Sequence, residues 1–263
     1  MGHREIYPNS QLALTVVELR HTATPPLTDA DQAALKSLLA EDFPLFRPAR
    51  RVNVTMSNAG VTENQSVHPR FMARDNAASI TFRTDAISVE TTRYGRRSVL
   101  RELLRQAVDA RQKVAPVDGI ERLGIRYINE VRAPDIEGPS SWSKWITKPL
   151  ISITDLETTD GTALQSSQGM AVFGTASKGI VLRHGIFEGY AVNPAGDLRR
   201  PTPPPGPFYL VDLDCYWTPE DETPPLEWDL IESRYNDAGL AAYGLFEQLI
   251  TDEYRQEVLR RDQ

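Results

Sequence analysis

The sequence predicts an α+β fold of two similar lobes, each an antiparallel sheet covered by long helices. Three observations predict it. Short segments with apolar residues at every second position are separated by brief turns, long segments carry apolar residues at helical spacing, and the order of these elements restarts near residues 117–119. We therefore predict an N-terminal lobe over residues 1–118 and a C-terminal lobe over residues 119–263, related by an internal duplication. The duplication is inferred from element order, because the two halves share no evident sequence identity.

The predicted N-terminal lobe contains a strand, a helix, several short strands and a second helix. Residues 12–20 are rich in Val, Leu and Thr, which favour a strand. Thr28 can cap a first helix over residues 29–41, whose first turn is acidic. Residues 97–114 carry Leu and Val at helical spacing and predict the second helix. The strands between the helices are predicted at residues 51–56, 69–74, 79–84 and 87–93.

The predicted C-terminal lobe repeats this order. A long strand over residues 120–132 leads into a short helical segment that contains Trp142 and Trp145. The proline-rich residues 193–207 are predicted to be a long hairpin loop, because they lie between two strands and have no apolar core of their own. A long helix is predicted over residues 230–259. The remaining strands are predicted at residues 170–175, 179–190 and 208–217.

The composition excludes several classes of protein. A formal net charge of -7 over 263 residues argues against a general polyanion binder. Cys215 is the only cysteine, so there is no disulfide framework and no cysteine-based zinc site, and we expect an inert buried thiol. The first residues form no apolar signal segment and no run is long enough to span a bilayer. We therefore expect a cytoplasmic protein without a membrane partner.

The predicted strand over residues 120–132 carries more charge than a strand usually does. Alternation places Arg122 and Arg126 on one of its faces and mostly apolar residues on the other. In a later strand the apolar residues again share one face, and Asp212 and Asp214 point the opposite way. If the two strands share a sheet, the two arginines face the two aspartates. These four residues are the predicted ligand- or partner-binding site.

Two interpretations of this charged face remain open. It is either a ladder of cross-strand ion pairs, each contributing roughly 0.2–1 kcal/mol, or a polar face that binds a ligand or a charged segment of a partner. Glu130 and Glu188 could join the two aspartates around a divalent cation, but the arginines would neutralise them and no third ligand is fixed by spacing. The sequence therefore assigns no metal, no cofactor and no catalytic residue.

The second predicted helix presents a row of basic residues, Arg97, Arg101 and Arg105, along the edge of its apolar stripe. A nucleic-acid surface would have this charge, but aromatic residues are not interleaved with it and the whole chain is acidic. We expect instead that the basic side chains pack against the acid-rich C-terminal region, with their stems on apolar surface. A nucleic-acid partner is not predicted.

Residues 122–129, Arg-Leu-Gly-Ile-Arg-Tyr-Ile-Asn, resemble the signature of an uncharacterised, sporadically distributed bacterial family with chains of about this length. Three further segments are similar to that family in style and placement: residues 7–10 (Tyr-Pro-Asn-Ser), 90–94 (Glu-Thr-Thr-Arg-Tyr) and 211–214 (Val-Asp-Leu-Asp). The resemblance covers nearly the whole chain, although only the arginine–tyrosine–asparagine motif is distinctive. It implies no particular activity, and the patchy occurrence of the family implies a setting among mobile-element, defence or toxin-associated genes.

Two hypotheses about function follow. The first is a non-enzymatic binding protein whose partner is another protein, in a defence, toxin-associated or regulatory setting. The second is a metal-dependent hydrolase or nucleotide-handling enzyme, in which Arg122 and Arg126 grip phosphate and Asp212 or Asp214 holds a metal. A homo-oligomer is compatible with both.

Overall fold

The computed structural model describes residues 5–57, 60–156 and 161–261. Within these residues the chain is a mixed α+β structure. Its helices are α1 (Asp29–Leu38), α2 (Arg97–Val114), α3 (Lys148–Ile151), α4 (Trp228–Leu249) and α5 (Asp252–Tyr254). Its strands are β1 (Leu12–His21), β2 (Leu45–Phe46), β3 (Ala49–Ser57), β4 (Gly60–His68), β5 (Arg70–Met72), β6 (Ala78–Phe82), β7 (Ala86–Thr91), β8 (Ile120–Val131), β9 (Gln168–Gly174), β10 (Lys178–Gly189) and β11 (Gly206–Trp217).

Nine of the described strands form one antiparallel sheet in the order β2-β5-β6-β7-β1-β8-β11-β10-β9. The centre of the sheet is the β1–β8 pair, in which Val17 lies opposite Ile125. Strands from both halves of the chain therefore belong to the same sheet. The remaining two, β3 and β4, form a separate two-stranded hairpin.

The helices cover one face of this sheet. In β8, Leu123, Ile125 and Tyr127 are buried on the side where α4 packs against β8 and α2 packs against β7, and we call this the helix-covered face. The opposite side, which carries Arg122 and Arg126, is called the outer face. The period of two in the strand sequences produces this division, since successive side chains point to opposite sides of a sheet. Burying the apolar side against amphipathic helices is the main favourable contribution to folding.

Several predicted elements are confirmed. Helix α2 spans the predicted residues, and the proline-rich segment at residues 193–207 connects β10 to β11. Trp142 lies in a short 3-10 helix, Pro139–Lys144. Cys215 is buried, and burial raises the pKa of its thiol to about 12, as expected for an inert cysteine. Among the described residues, no helix combines the length and the apolar composition needed to cross a bilayer.

The prediction of one continuous C-terminal helix is wrong. Helix α4 ends at Leu249, and Ile250 forms an isolated antiparallel bridge with Ile146. The hydroxyl of Thr251 then accepts a hydrogen bond from the Tyr254 amide and caps a new helical segment, so the chain restarts in a new direction. A π-helical turn, Arg255–Leu259, follows. The helical spacing of apolar residues continues through the break between α4 and α5. The sequence pattern therefore does not show where α4 ends.

Two strands were not predicted. β2 is only two residues long, and β4 has a mostly polar sequence without apolar alternation. Among the described strands β4 pairs with β3 alone, outside the main sheet, and its sequence lacks the alternation that would predict a strand.

Candidate functional site

The structure brings the predicted site residues together on the outer face. β8 and β11 are antiparallel neighbours, with Arg126 directly opposite Asp214. Arg126 Nε donates to Asp212 Oδ1 at 2.8 Å, and Arg126 Nη2 donates to Asp212 Oδ2 at 2.6 Å. The Asp212 side chain is only 3% exposed, and Arg183 Nη1 approaches its Oδ2 at 3.7 Å. This bidentate pair is the geometry in which guanidinium and carboxylate interact most strongly.

Arg122 makes a looser arrangement beside it. Its Nη2 lies 3.5 Å from Asp214 Oδ1, and its guanidinium carbon lies 5.5 Å from the centroid of the Tyr216 ring. A Cβ atom at Gly124 would lie 3.0 Å from Arg122 Nη1. The Arg-x-Gly spacing therefore has a local physical reason, because the glycine leaves the room into which the arginine side chain folds back.

The charges on the outer face largely neutralise one another. The hydrogen bond to Asp212 raises the pKa of Arg126 above its ordinary value. Within the described residues, no group of three or more His, Cys, Asp or Glu side chains is arranged to hold a metal ion. A role for these four residues in binding stays a prediction, and so does the enzyme interpretation. The latter is tested by the melting temperature in the presence of Mg²⁺ or Mn²⁺ and a panel of nucleotides, since a real site raises it by linkage.

A large cavity of about 1160 Å³ lies on the opposite side of β8. It is half open to solvent and is bounded by the helix-covered face of the sheet, the start of α2 and the middle of α4. It lies at the end of the sheet where β1 begins and β7 and β8 end. It extends past the end of β8 to the loop around residues 200–203. Its volume exceeds the roughly 300–1,000 Å³ that is typical of small-molecule pockets.

Four sequence segments that were singled out above, residues 7–10, 90–94, 122–129 and 211–214, meet at this cavity. Its lining includes residues 7–10 and 92–94, then Tyr127 and Asn129 from the arginine–tyrosine–asparagine motif, and Leu213 from residues 211–214. These segments are far apart in the sequence, and the sheet together with the C-terminal helical region brings them to one place. Within residues 122–129, the arginines face outward to the ion pairs while the tyrosine and asparagine face the cavity.

The N-terminal segment before β1 forms one wall of the cavity. The amide of Asn9 donates to Leu259 O at 3.1 Å, and the Tyr7 hydroxyl donates to the Glu247 carboxylate at 2.9 Å. Arg260 Nε donates to Glu5 Oε1 at 2.6 Å, and this hydrogen bond lowers the pKa of the Glu5 carboxyl. The segment is thus held across the C-terminal helical region and turns into the sheet.

Aromatic side chains supply much of the apolar lining. The rings of Tyr94 and Tyr127 meet edge to face with centroids 5.7 Å apart, and Tyr243 and Phe246 line the cavity from α4. Burial, with Tyr94 beside it, raises the pKa of the Tyr127 phenol. Such surfaces bind apolar groups and still offer a polar tip.

Cationic groups outnumber anionic groups in the lining. The charged lining residues are Arg93, Arg96, Arg97, Arg132, Arg200, Glu5 and Glu130. The buried carboxylate of Glu130 pairs with both Arg132 and Arg200, and it also accepts a hydrogen bond from the Ala191 amide at 2.8 Å. Arg93 Nη1 lies 2.6 Å from Asp75 Oδ2.

Arg96 and Arg97 differ from the other arginines of the lining, each of which pairs with a carboxylate. No carboxylate in the described part of the chain forms an ion pair with either of them. Arg96 is the N-cap residue of α2, where no side chain caps the helix and no acidic residue lies in the first turn. Arg97 Nη1 donates to Asn236 O at 3.1 Å, which holds the side chain against α4. The positive end of the α2 dipole therefore faces the cavity with two guanidinium groups beside it.

Asn129 is a buried polar residue in the wall of the cavity. It is 8% exposed, and its Nδ2 donates to Val211 O at 2.9 Å across to β11. Its Oδ1 accepts no hydrogen bond from the described residues. This oxygen is not among the fully buried side-chain atoms that lack a partner, so it is open to the cavity and can accept a hydrogen bond from a bound donor.

The cavity was not predicted from the sequence. Tyr127 and Asn129 lie on the mostly apolar face of the predicted strand, as alternation requires, but no role was predicted for Asn129. The basic residues of α2 were expected to pack against the C-terminal region, and Arg97 does so through Asn236. Arg101 does pack as expected, with Nη1 at 2.8 Å from Glu232 Oε1, and Arg105 lies 5.2 Å from the Trp228 ring centroid. The signal that distinguishes Arg97 is the uncapped helix start that follows Gly95, with no acid in the first turn.

No protein-family model matches the chain, and no curated protein matches it significantly.

Proposed function

We propose that the chain is a non-enzymatic binding protein that holds an extended segment of another protein in the cavity. The observation that carries the proposal is the convergence of four separate segments, residues 7–10, 92–94, 127–129 and 213, on one large cavity. These segments are far apart in the sequence, yet they line one half-open space that is large enough for a ligand.

Size and chemistry support a peptide segment as the occupant. A cavity of about 1160 Å³ is larger than most small-molecule pockets. Its lining combines tyrosine and phenylalanine rings with guanidinium groups, which is the mixture found at the energetic centres of protein–protein interfaces. The acidic chain as a whole supports neither DNA nor RNA as the partner.

The experiment fills the cavity and measures peptide binding. Ser10 is exposed and lines the cavity, so Ser10→Trp places a large ring there at little cost to the fold. Ser37→Trp is the matched control, because Ser37 is equally exposed on α1 and lies away from the cavity. Two random dodecapeptide display libraries, one with free and one with blocked C-termini, are selected against the wild-type protein and both variants.

We expect enrichment of binding peptides with the wild-type protein and with Ser37→Trp, and none with Ser10→Trp. Circular dichroism and the melting temperature should show that both variants are folded. Equal enrichment with Ser10→Trp, or no enrichment with the wild-type protein, would contradict the proposal.

The predicted internal duplication remains part of the proposal. Read outward from the central β1–β8 pair, the order is β7-β6-β5 on one side and β11-β10-β9 on the other. Each series is followed along the chain by a long helix, α2 or α4. This order supports two related units with a boundary at residues 118/119, and the cavity would then take its lining from both.

A homo-oligomer is also retained as a proposal. β9 is an edge strand whose Met170 and Val172 are exposed, so pairing of β9 with a second copy would cover them. Light scattering coupled to gel filtration measures the mass, and replacement of Val172 by Lys should favour the monomer if β9 forms the contact.

A further inference from the structure

Resting on the proposed function, we infer that the bound segment is acidic and that one of its carboxylates is held at the start of α2 by Arg96, Arg97 and the first backbone amides of the helix.

Helices α1 and α2 differ in how their N-terminal amides are satisfied. At α1 the Asp31 amide donates to Thr28 Oγ1 at 3.2 Å, and the Thr28 amide donates to Asp31 Oδ2 at 2.9 Å. Asp29 adds a second acid to that first turn. Helix α1 therefore satisfies its own N-terminal amides and its own dipole. Helix α2 has neither a capping side chain nor an acid in its first turn.

The start of α2 instead concentrates positive charge. The Val99 amide donates to Arg96 O at 3.1 Å, whereas the Arg97 and Ser98 amides have no acceptor among the described residues. This end of α2 carries the positive end of the helix dipole, and Arg96 and Arg97 add two like charges to it. A carboxylate at this point accepts hydrogen bonds from the amides and pairs with the guanidinium groups. Hydrogen bonds between charged partners are roughly twice as strong as neutral ones.

The position of Arg97 is already fixed before any ligand binds. Its guanidinium is held by Asn236 O, and its side chain lies against α4 where Gly239 leaves room for it. A Cβ at position 239 would approach Arg97 Cδ to 2.8 Å. Fixing the side chain in advance lowers the entropy cost of binding.

The other arginines of the cavity do not compete for this role. Arg132 and Arg200 share the buried Glu130, and Arg93 pairs with Asp75. The surplus of positive charge is therefore located at Arg96 and Arg97, and charge complementarity calls for an anionic group there.

Asn129 is the independent observation that points to a peptide. This side chain is more than nine-tenths buried, lines the cavity, and has an Oδ1 without a donor among the described residues. A backbone N–H of an extended segment would supply that donor, and the aromatic lining would take the apolar side chains of the same segment.

The experiment uses peptides selected by the wild-type protein from the two libraries. Each is synthesised in four forms: unchanged, with its Asp and Glu replaced by Asn and Gln, with an amidated C-terminus, and with both changes. Fluorescence anisotropy measures the Kd for the wild-type protein, for the double variant Arg96→Gln/Arg97→Gln, and for Arg105→Gln as the control on the same helix.

We expect that removing the relevant carboxylate weakens binding to the wild-type protein and to Arg105→Gln at least tenfold. The double variant should bind the unchanged peptide as weakly as the wild-type protein binds the neutral one, so neutralising the peptide should have little further effect. The form that loses affinity identifies the source of the carboxylate as an acidic side chain or the C-terminus.

Three results would overturn the inference. In the first, neutral peptides bind the wild-type protein as tightly as acidic ones. In the second, neutralising the peptide weakens its binding to the double variant as much as its binding to the wild-type protein. The third concerns nucleotides. ATP and UTP, tested as competitors, could displace the peptides and bind more tightly than any of them through Arg96 and Arg97, which would make the ligand a nucleotide. Each of these results is compatible with binding in the cavity. Peptides that bind Ser10→Trp as tightly as they bind the wild-type protein would instead reject the proposed function.

Discussion

Two pairs of arginines lie on opposite sides of the same sheet and have opposite surroundings. On the outer face, Arg126 forms a bidentate pair with the buried Asp212, and Arg122 lies beside Asp214. At the cavity, Arg96 and Arg97 have no carboxylate partner among the described residues. The first pair was the obvious candidate in the sequence. Charges that are already satisfied stabilise the fold, and charges that lack a counter-ion are the better candidates for binding.

The largest effect is expected for Arg126→Ala. Among the described residues, this change leaves the buried carboxylate of Asp212 with only the more distant Arg183, at 3.7 Å. We expect the free energy of unfolding to fall by about 2 kcal/mol, less than for a fully buried pair, because the Arg126 side chain is half-exposed. Urea unfolding measures it. A change below about 1 kcal/mol, together with loss of peptide binding, would move the functional site back to the outer face.

A pair of glycines in α4 tests how Arg97 is held. Gly244→Ala introduces a Cβ with nothing within 4 Å, so it should stabilise the protein by about 1 kcal/mol through helix propensity. Gly239→Ala should gain less, because its Cβ must displace the Arg97 side chain, and it should also weaken binding of acidic peptides. Denaturant unfolding and anisotropy measure the two effects. Identical behaviour of the variants would show that the position of Arg97 does not matter.

Glu90 tests how a buried carboxylate on the outer face affects the stability of the protein. It lies on the outer face opposite Val16, its Oε2 accepts a hydrogen bond from Ser79 Oγ at 3.2 Å, and no arginine in the described ranges forms an ion pair with it. Burial raises its pKa above the ordinary glutamate value. The folded state therefore binds this proton more tightly than the unfolded state, and stability falls as the pH rises through the interval between the two pKa values.

Glu90→Gln should accordingly raise the melting temperature at pH 7, and the gain should disappear at pH values below the ordinary pKa of glutamate. Melting curves between pH 4 and pH 8 measure the difference. A destabilising effect of this variant at pH 7 would show that Glu90 has a cationic partner after all.

The smallest effect is expected for Arg122→Ala. The pair with Asp214 has a distance of 3.5 Å and both side chains are partly exposed, so it resembles a surface salt bridge. We expect a loss of about 0.5 kcal/mol in the free energy of unfolding. The same urea experiment that is used for Arg126→Ala measures it, and a loss as large as that of Arg126→Ala would contradict the distinction drawn between the two outer arginines.

The sequence could predict the parts of the molecule that depend on local periodicity. Alternation in β8 and β11 was enough to expect Arg126 and Asp212 on the same side, and the capping residues of α1 were visible as Thr28 and its acidic neighbours. The end of α4 at Leu249 was not predictable in this way, since the bridge between Ile250 and Ile146 is a tertiary contact. The cavity could not be predicted either, because an unfilled volume depends on how distant segments pack and leaves no periodic signal.

The most direct test is Arg96→Asp, measured for both stability and binding. Aspartate at the N-cap would accept hydrogen bonds from the helix amides and complement the dipole, so the free energy of unfolding should rise by about 1 kcal/mol. The same change supplies from within the protein the carboxylate that the ligand would bring, so affinity for acidic peptides should fall at least tenfold. Improved stability with lost binding is the predicted result. Unchanged affinity, or a loss of stability with this variant, would contradict the claim that the start of α2 is left open for a ligand carboxylate.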